Sequence, residues 1–437
     1  MKFFLPDWED RVDPNFNFRK DKYSREHDAD PYKNDVYAHK LYERQQLPYD
    51  GVLFSLSIFQ SKLILENHGT ESVSIRGIKD IKEYLKFPNG SNLEVLGDCG
   101  AFSYVGETNP PKFFNTRDVA NVYDKLGFDY GVSVDHMAIS SYMVKNKETG
   151  KRDKVLLSPY QKERRVRLTF KNAKEFLEVH KEKHYKFKPM GAAQGYDKKS
   201  YVKSVKELVG MGYDYIGIGS LVRYESNEIL SILTGIKPEL GDAKLHLFGV
   251  LRPKFIDRFE KLGVVSFDSA SYLRKAWLRS GQNYVTSDNR WYAAIRVPYS
   301  DNLVMRKDSR KMRISRGKLI TLEKKATRSL RMYESGQMSL ESTLQAVTEY
   351  DSLLIRNSDD GFNLEQRYKR TLEDRPWEKC NCKVCKEIGI DVLIFRGSNR
   401  NKRRGFHNSW VFNNFLKETT KNPAKKEIKN FDSINTA

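Results

Sequence analysis

The chain has 437 residues and carries 77 Lys+Arg against 57 Asp+Glu, a net charge of +20. That length holds one large enzyme domain with an appendage, or two to three smaller domains, and 39% apolar residues with 24 Tyr and 24 Phe supply a folded core. There is no apolar run of about eighteen residues, which excludes an ordinary membrane-spanning helix. The acidic turn in MKFFLPDWEDRVDP is unlike a signal peptide.

In chain order, residues 1–45 are polar, aromatic-rich and weakly periodic, and read as an N-terminal arm. From residue 46 to 289 short apolar runs alternate with amphipathic stretches. The strand candidates are GVLFSLSIF, LEVLGDCGAF, FDYGVSVDH, FKPMGAAQG, YDYIGIGSL, KLHLFGV and VVSFDSA. Helical periodicity marks TRDVANVYDKLG, NAKEFLEVHKEKH, KSYVKSVKELVGMG and PKFIDRFEKLG, and all but the second end at a glycine. Strand–helix repetition of this length implies a parallel sheet closed as a (β/α)8 TIM-type barrel, an α/β fold. Residues 290–375 lack strand alternation and read as a basic helical insertion. Residues 376–437 hold a metal-binding module and a Lys/Asn-rich tail that is expected to fray after about Lys417.

Cys380, Cys382 and Cys385 in EKCNCKVCKE, followed by His407 in GFHNSW, form a Cys-x-Cys-x2-Cys…His set. Such donors fill a tetrahedral zinc shell, so one structural zinc per chain is expected, with no position open for an activated water. Free thiols beside a zinc clamp suit a reducing, cytoplasmic setting. The chemistry then belongs to the barrel, where Asp98, Asp135, Gln194, Gly219 and Asp268 fall at the C-terminal ends of strand candidates. That rim is where barrels of this type carry their active sites. Any one of these carboxylates alone reads as a helix N-cap; their convergence does not.

The positive charge is uneven. Val304 to Arg331 contains eleven basic and two acidic residues, and a second knot, RGSNRNKRR, runs from Arg396 to Arg404. Both are expected to face a polyanion, because each neutralised phosphate releases counterions.

The ordered motifs resemble a known family. GDCGAFSY at 97–104 is similar to the Asp-Ser-Gly-Gly-Phe motif of the tRNA-guanine transglycosylases, and FDSASY at 267–272 to the nucleophile motif of their archaeal branch. VSVDH, AAQG and GIGSL resemble its base-recognition segments, and the cysteine clamp with His407 and Asn408 its zinc site. The resemblance covers roughly residues 50–285 and 375–415. It implies base exchange at a glycosidic bond. Asp268 would attack C1′, and Asp98 would protonate the leaving guanine and later deprotonate the incoming base. Asp135 would accept from the N1–H and amino group of guanine. Gln194 would donate to O6. Gly219, Ser220 and Leu221 would offer backbone N–H groups, and Phe102 would stack on the ring.

This sequence departs from the pattern at Cys99, where the family has Ser, and at Ala101, where it has Gly. The segment between Asp268 and Cys380 is longer than tRNA enzymes predict, and only thirty residues follow His407. These features, with the opening LPDWEDRVDP, resemble the DNA 7-deazaguanine transglycosylase (DpdA) branch of bacteria and phages. The partners so implied are DNA, a free 7-deazaguanine base of the 7-cyano or aminomethyl type, and no membrane; for a phage protein the setting is the host cytoplasm. Arg310, Lys311, Arg313 and Arg316 are expected on the DNA backbone. The alternatives are the same chemistry on tRNA, and a non-catalytic zinc protein that binds nucleic acid on a retired barrel.

Overall fold

The computed structural model describes residues 1–42, 45–59, 78–145, 149–278, 281–311, 313–353 and 364–421. They divide into two compact units: Met1–Trp8 with Tyr49–Ala270, and Glu9–Pro48 with the residues from Ser271 onward.

In the first unit eight parallel strands close into a barrel. They are β1 (Lys2–Pro6), β2 (Gly51–Ser55), β3 (Glu94–Asp98), β4 (Tyr130–Val132), β5 (Lys188–Ala193), β6 (Tyr215–Ile218), β7 (Lys244–Leu247) and β8 (Val264–Asp268). Ring closure runs through β1, which sets Phe4 opposite Asp268 on β8 and opposite Gly51 on β2. Phe4, Leu53, Leu96, Val132, Met190, Ala192 and Tyr215 fill the interior. Near-continuous apolar runs are what parallel strands covered on both faces require. The expected TIM-type barrel is therefore present, with one strand from an unexpected place. KFFLP lies in the polar, aromatic-rich and weakly periodic stretch expected to form an arm. The chain leaves the barrel at Trp8 for the second unit and returns at Tyr49, so no strand–helix period marks β1.

The helices start and stop as their sequences dictate. Asn115 caps α1 (Thr116–Lys125), Ser158 with Gln161 forms a capping box on α2 (Pro159–Lys183), and Asp197 with Ser200 does so on α3 (Lys198–Met211). Gly212 ends α3 in the left-handed conformation, φ +98°; α2 has no glycine there, and His184 takes that role at φ +52°. Between β4 and α2 lies an antiparallel hairpin, Ser141–Lys145 with Arg152–Leu156, that the sequence reading did not anticipate.

The second unit carries helices α4 (Leu303–Lys311), α5 (Arg316–Glu334), α6 (Leu340–Asp351), α7 (Leu364–Asp374), α8 (Lys383–Ile388) and α9 (Gly397–Lys421). Helix α9 runs past Lys417, and the rest of the tail expected to fray lies outside the described residues. Among the described residues, no helix is long and apolar enough to cross a membrane.

One expectation is corrected. The knot from Arg396 to Arg404 does not face a polyanion: Arg396, Arg400, Arg403 and Arg404 are 5%, 1%, 1% and 0% exposed. Positions 400, 403, 404 and 407 share one face of α9, since residues three and four apart stack along a helix. Arg400 pairs with Asp21 and Asp391 and donates to Phe18 O at 2.7 Å. Arg403 donates to Asp13 O and Pro14 O, Arg404 to Ala276 O and Val392 O, and Arg396 to Glu323 and Val297 O. These guanidinia satisfy irregular backbone that no sheet or helix partners, a task for which five fixed donors suit arginine.

Arg400→Ala takes from Asp21 and Asp391 one of their two guanidinium partners, leaving them to Arg396 and Arg331 respectively, and strips the Phe18 carbonyl of a buried donor, which destabilises the network. We expect a marked drop in unfolding midpoint with no change in the salt dependence of nucleic-acid binding. The reverse pattern would return these arginines to a binding role.

Candidate active site and metal centre

Asp98 is the last residue of β3, and its carboxylate accepts the Gly100 N–H at 3.0 Å. Gly100 turns the chain at φ +79°, and a Cβ there would stand 2.4 Å from Ser55 Oγ, so the tight exit from β3 needs glycine. Burial raises the Asp98 carboxyl to about 7, with the charges of Asp135 and Asp268 adding to the rise. Cys99, fully buried, points its thiol at Asp135 Oδ1 at 3.3 Å and lies 3.1 Å from the Tyr104 hydroxyl. Tyr104 in turn donates to Asp135 O at 2.9 Å. The Cys99 position that departs from the family motif is thus a support for Asp135. Phe102, on the 3₁₀ turn Ala101–Tyr104, is 72% exposed.

Asp135 and Gln194 come together directly: the Gln194 amide donates to Asp135 Oδ2, and the Ser220 hydroxyl donates to Gln194 Oε1 at 2.6 Å. These bonds fix the Gln194 amide with its NH2 toward Asp135 and one N–H still to give. Burial raises the Asp135 carboxyl above the usual range. Gly219 acts differently from the expectation. Its N–H donates to Ala193 O at 3.0 Å within the barrel ladder and is not offered to a base. What the glycine supplies is room, since a Cβ would stand 2.3 Å from Gln194 Nε2. Ser220 follows at φ +64° and Leu221 opens a 3₁₀ turn, so their amides begin a new segment at the strand end.

Asp268 ends β8 at 6% exposure and accepts the Gly249 N–H at 2.9 Å. Its Oδ1 also lies 3.2 Å from His246 Nε2, and His246 Nδ1 lies 2.7 Å from Ser266 Oγ, which bonds the Tyr215 hydroxyl. His246 is fully buried and holds Asp268 from below. Sequence reasoning missed it. The only signal was a lone histidine inside the apolar run KLHLFGV, a pattern that fits an ordinary core position equally well.

In the second unit Cys380, Cys382, Cys385 and His407 bring their ligand atoms within 4.8 Å of one another. His407 Nδ1 lies 3.5, 3.3 and 3.4 Å from the three sulfurs, and its Nε2 lies 2.8 Å from Val285 O. With Nε2–H donating to that carbonyl, the Nδ1 lone pair faces the thiols, the tautomer a metal ligand needs. Amide N–H groups of Cys382 and Cys385 point at Cys380 and Cys382 sulfurs, and Tyr284 stacks on His407 with ring centroids 4.0 Å apart. Asn408 accepts from Val285 N and donates to Tyr272 O and Asn283 O, tying α9 to the segment that positions the histidine. Three soft sulfurs and one imidazole in this arrangement fit a metal ion held entirely by protein.

A closed parallel barrel with carboxylates and an amide gathered at strand ends defines an enzyme site. Residues 153–422 match the family described as queuine tRNA-ribosyltransferase, and the chain belongs to that family. It is 36% identical to a DNA-guanine transglycosylase of Salmonella montevideo over 422 residues, 96% of this chain and 97% of that one. It is 33% identical over 119 residues, 25% of this chain and 18% of the relative, to a tRNA-guanine(15) transglycosylase of Methanocaldococcus jannaschii. A tRNA-guanine(15) transglycosylase of Methanococcus aeolicus is 26% identical over 42% of this chain and 26% of its own length. The protein is a guanine base-exchange glycosyltransferase.

A carboxyl with a raised pKa in the folded state binds more protons there than in the unfolded chain between its two pKa values. Stability is therefore lost as pH rises from the ordinary carboxyl value of 3.8 to about 7, and the loss levels off above that. Every pKa unit of that rise corresponds to about 1.4 kcal/mol. We expect Asp98→Asn to abolish exchange, to leave the unfolding midpoint nearly unchanged at about pH 3, where the carboxyl is protonated in both states, and to raise it at pH 8. An equal effect at both pH values would show that Asp98 is not held neutral. For the metal centre, Cys385→Ser or a strong chelator should unfold the second unit, read as a loss of helical circular dichroism, because the metal would be part of that unit's folding energy.

Proposed function

We propose that the enzyme replaces guanine in DNA with a free 7-deazaguanine base, of the 7-cyano or aminomethyl type, through a covalent nucleotide intermediate. The observation that carries the chemistry is the Asp98 carboxyl raised to about 7 beside two further carboxylates. A group poised there gives a proton in one half-reaction and takes one in the other. Asp268 attacks C1′, the C1′–N9 bond breaks, and its electron pair leaves on guanine, which Asp98 protonates. The incoming base then loses its N9 proton to Asp98 and displaces Asp268 from C1′. Gly249 N–H and His246 hold Asp268 for the attack. Asp135 accepts from the N1–H and amino group, Gln194 donates to O6, the Ser220 and Leu221 amides face the O6 and 7-substituent side, and Phe102 stacks. The edge so read is common to guanine and its 7-deaza analogues, which is why one pocket serves both. Zinc suits the Cys380–Cys382–Cys385–His407 set and would brace the second unit without entering a chemical step.

DNA is favoured over tRNA because the likeness to the Salmonella DNA-guanine transglycosylase spans both chains almost completely, whereas the archaeal likenesses are partial. The basic segment supports this reading. Arg310 and Lys311 end α4, Arg313 takes φ +56° between helices, Arg316 begins α5, and all four side chains are exposed. Other cations of the run are already engaged, Lys325 with Glu349 and Arg331 with Asp391.

The test is an exchange assay with labelled guanine on DNA and tRNA side by side. We expect incorporation into DNA, a covalent protein–DNA adduct on denaturing gels, and loss of both in Asp268→Ala; incorporation into tRNA alone would overturn the DNA reading. Replacing Arg310, Lys311, Arg313 and Arg316 by Gln should weaken DNA binding and flatten its log–log salt slope by about one per lost phosphate contact, with the exchanged base unchanged.

A further inference from the structure

We propose that the hairpin Ser141–Lys145 with Arg152–Leu156 contacts the DNA backbone and bases flanking the extruded guanine, a proposal that rests on the DNA reading above. The hairpin leaves the C-terminal end of β4, two strands' worth of chain inserted where Asp135 has just been placed, and it leads into α2. Connections of this kind lie on the face of a barrel that carries the active site. Its root is tied to the base-reading loop after β6. Arg223, two residues beyond Leu221, donates from Nη1 to Ser141 O at 2.7 Å, and Leu157 N donates to Ser140 O at 3.0 Å.

The register sorts the side chains into two faces, because directly opposed residues of an antiparallel pair lie on the same side. Tyr142 opposes Val155, and Val144 opposes Asp153. Near the root that face is partly covered: Tyr142 and Val155 are half-buried, with the Arg165 guanidinium over the Tyr142 ring at 5.8 Å, whereas Val144 and Asp153 further out are exposed. On the other face Met143 opposes Lys154 and Ser141 opposes Leu156, with Arg152 two residues before Lys154. Met143 is 50% exposed and Leu156 70%, and Arg152 and Lys154 are exposed. The outward face thus combines cations with large apolar side chains, while the strand's acid, Asp153, lies on the opposite face, where it too is exposed.

That combination fits one partner. Cations alone would suit a phosphate backbone, and apolar side chains alone a protein. Together at the mouth of a pocket that takes a single base, they suit DNA whose guanine has left the stack. Arginine and lysine neutralise flanking phosphates, and apolar side chains cover the bases exposed by the gap. Phe102 and Val222, at 72% and 57% exposure on the connections after β3 and β6, extend the apolar surface on the same face.

The experiment compares the full-length protein with two double variants, Arg152→Gln with Lys154→Gln, and Met143→Ser with Leu156→Ser. Both alter exposed positions, and unchanged unfolding midpoints confirm that the fold is kept. The probes are a guanine-containing duplex and the same strand alone, with binding read by fluorescence anisotropy over a salt series and exchange by labelled guanine. The charge variant should weaken duplex binding roughly tenfold and flatten the log–log salt slope by about two. The apolar variant should keep that slope and lower exchange on the duplex about fivefold, with a smaller loss on the single strand, where no stack has to be opened. Variants that bind and exchange like the unaltered enzyme would overturn the hairpin assignment and leave the DNA reading standing. Unaltered enzyme that incorporates guanine into tRNA and not into DNA would overturn both.

Discussion

Three carboxylates at one barrel mouth cannot all ionise freely, and this constraint organises the site. Asp98 carries the consequence: burial first, and then the charges of Asp135 and Asp268, raise its carboxyl to about 7. The other two are held by donors: Gln194 and the Cys99 thiol on Asp135, Gly249 N–H and His246 on Asp268. Groups of one chemical type are thereby separated in behaviour by what surrounds them.

The barrel explains why these groups converge from distant sequence. Asp98 and Asp268 are the last residues of β3 and β8, Asp135 follows β4 by three residues, and Gln194 and Gly219 each come directly after a strand. The apolar strand runs therefore revealed both the fold and most of the rim, because one pattern specifies both. The same pattern failed for β1, whose neighbours in sequence belong to another unit. It was silent on His246, because an interior histidine differs from an interior leucine only in the partners it finds, here Ser266 and Asp268. The Gly219 amide was misjudged for a similar reason. A strand-end glycine looks like an open donor until the register shows it bonded to Ala193 O.

Charge was the least transparent signal. RGSNRNKRR and the run from Val304 to Arg331 look alike as composition, yet the first is interior and much of the second is exposed. The difference lies in helical phase and in supply of acceptors. Arg400, Arg403 and Arg404 fall on the His407 face of α9, where the irregular segment containing Asp13, Pro14 and Phe18 offers carbonyls that need donors. Arg310, Lys311 and Arg313 fall at a helix end and a turn, where side chains point to solvent. Counting basic residues per window treats both as polyanion surfaces. Only the first carries the cost of burial, and that cost is met by satisfying backbone that would otherwise be left without partners.

Recognition and catalysis are coupled through Asp135 in the proposed reaction. Its negative charge is one of the causes that raise Asp98. When a guanine edge places its N1–H and amino group against Asp135, part of that charge is neutralised and its effect on Asp98 weakens. Asp98 then becomes a stronger acid at the moment the base to be expelled is seated, and it keeps its proton while the pocket is empty. A base that presents an acceptor to Asp135 instead would leave a buried charge unpaired and Asp98 a weaker acid, so it is rejected both in binding and in the proton transfer that follows.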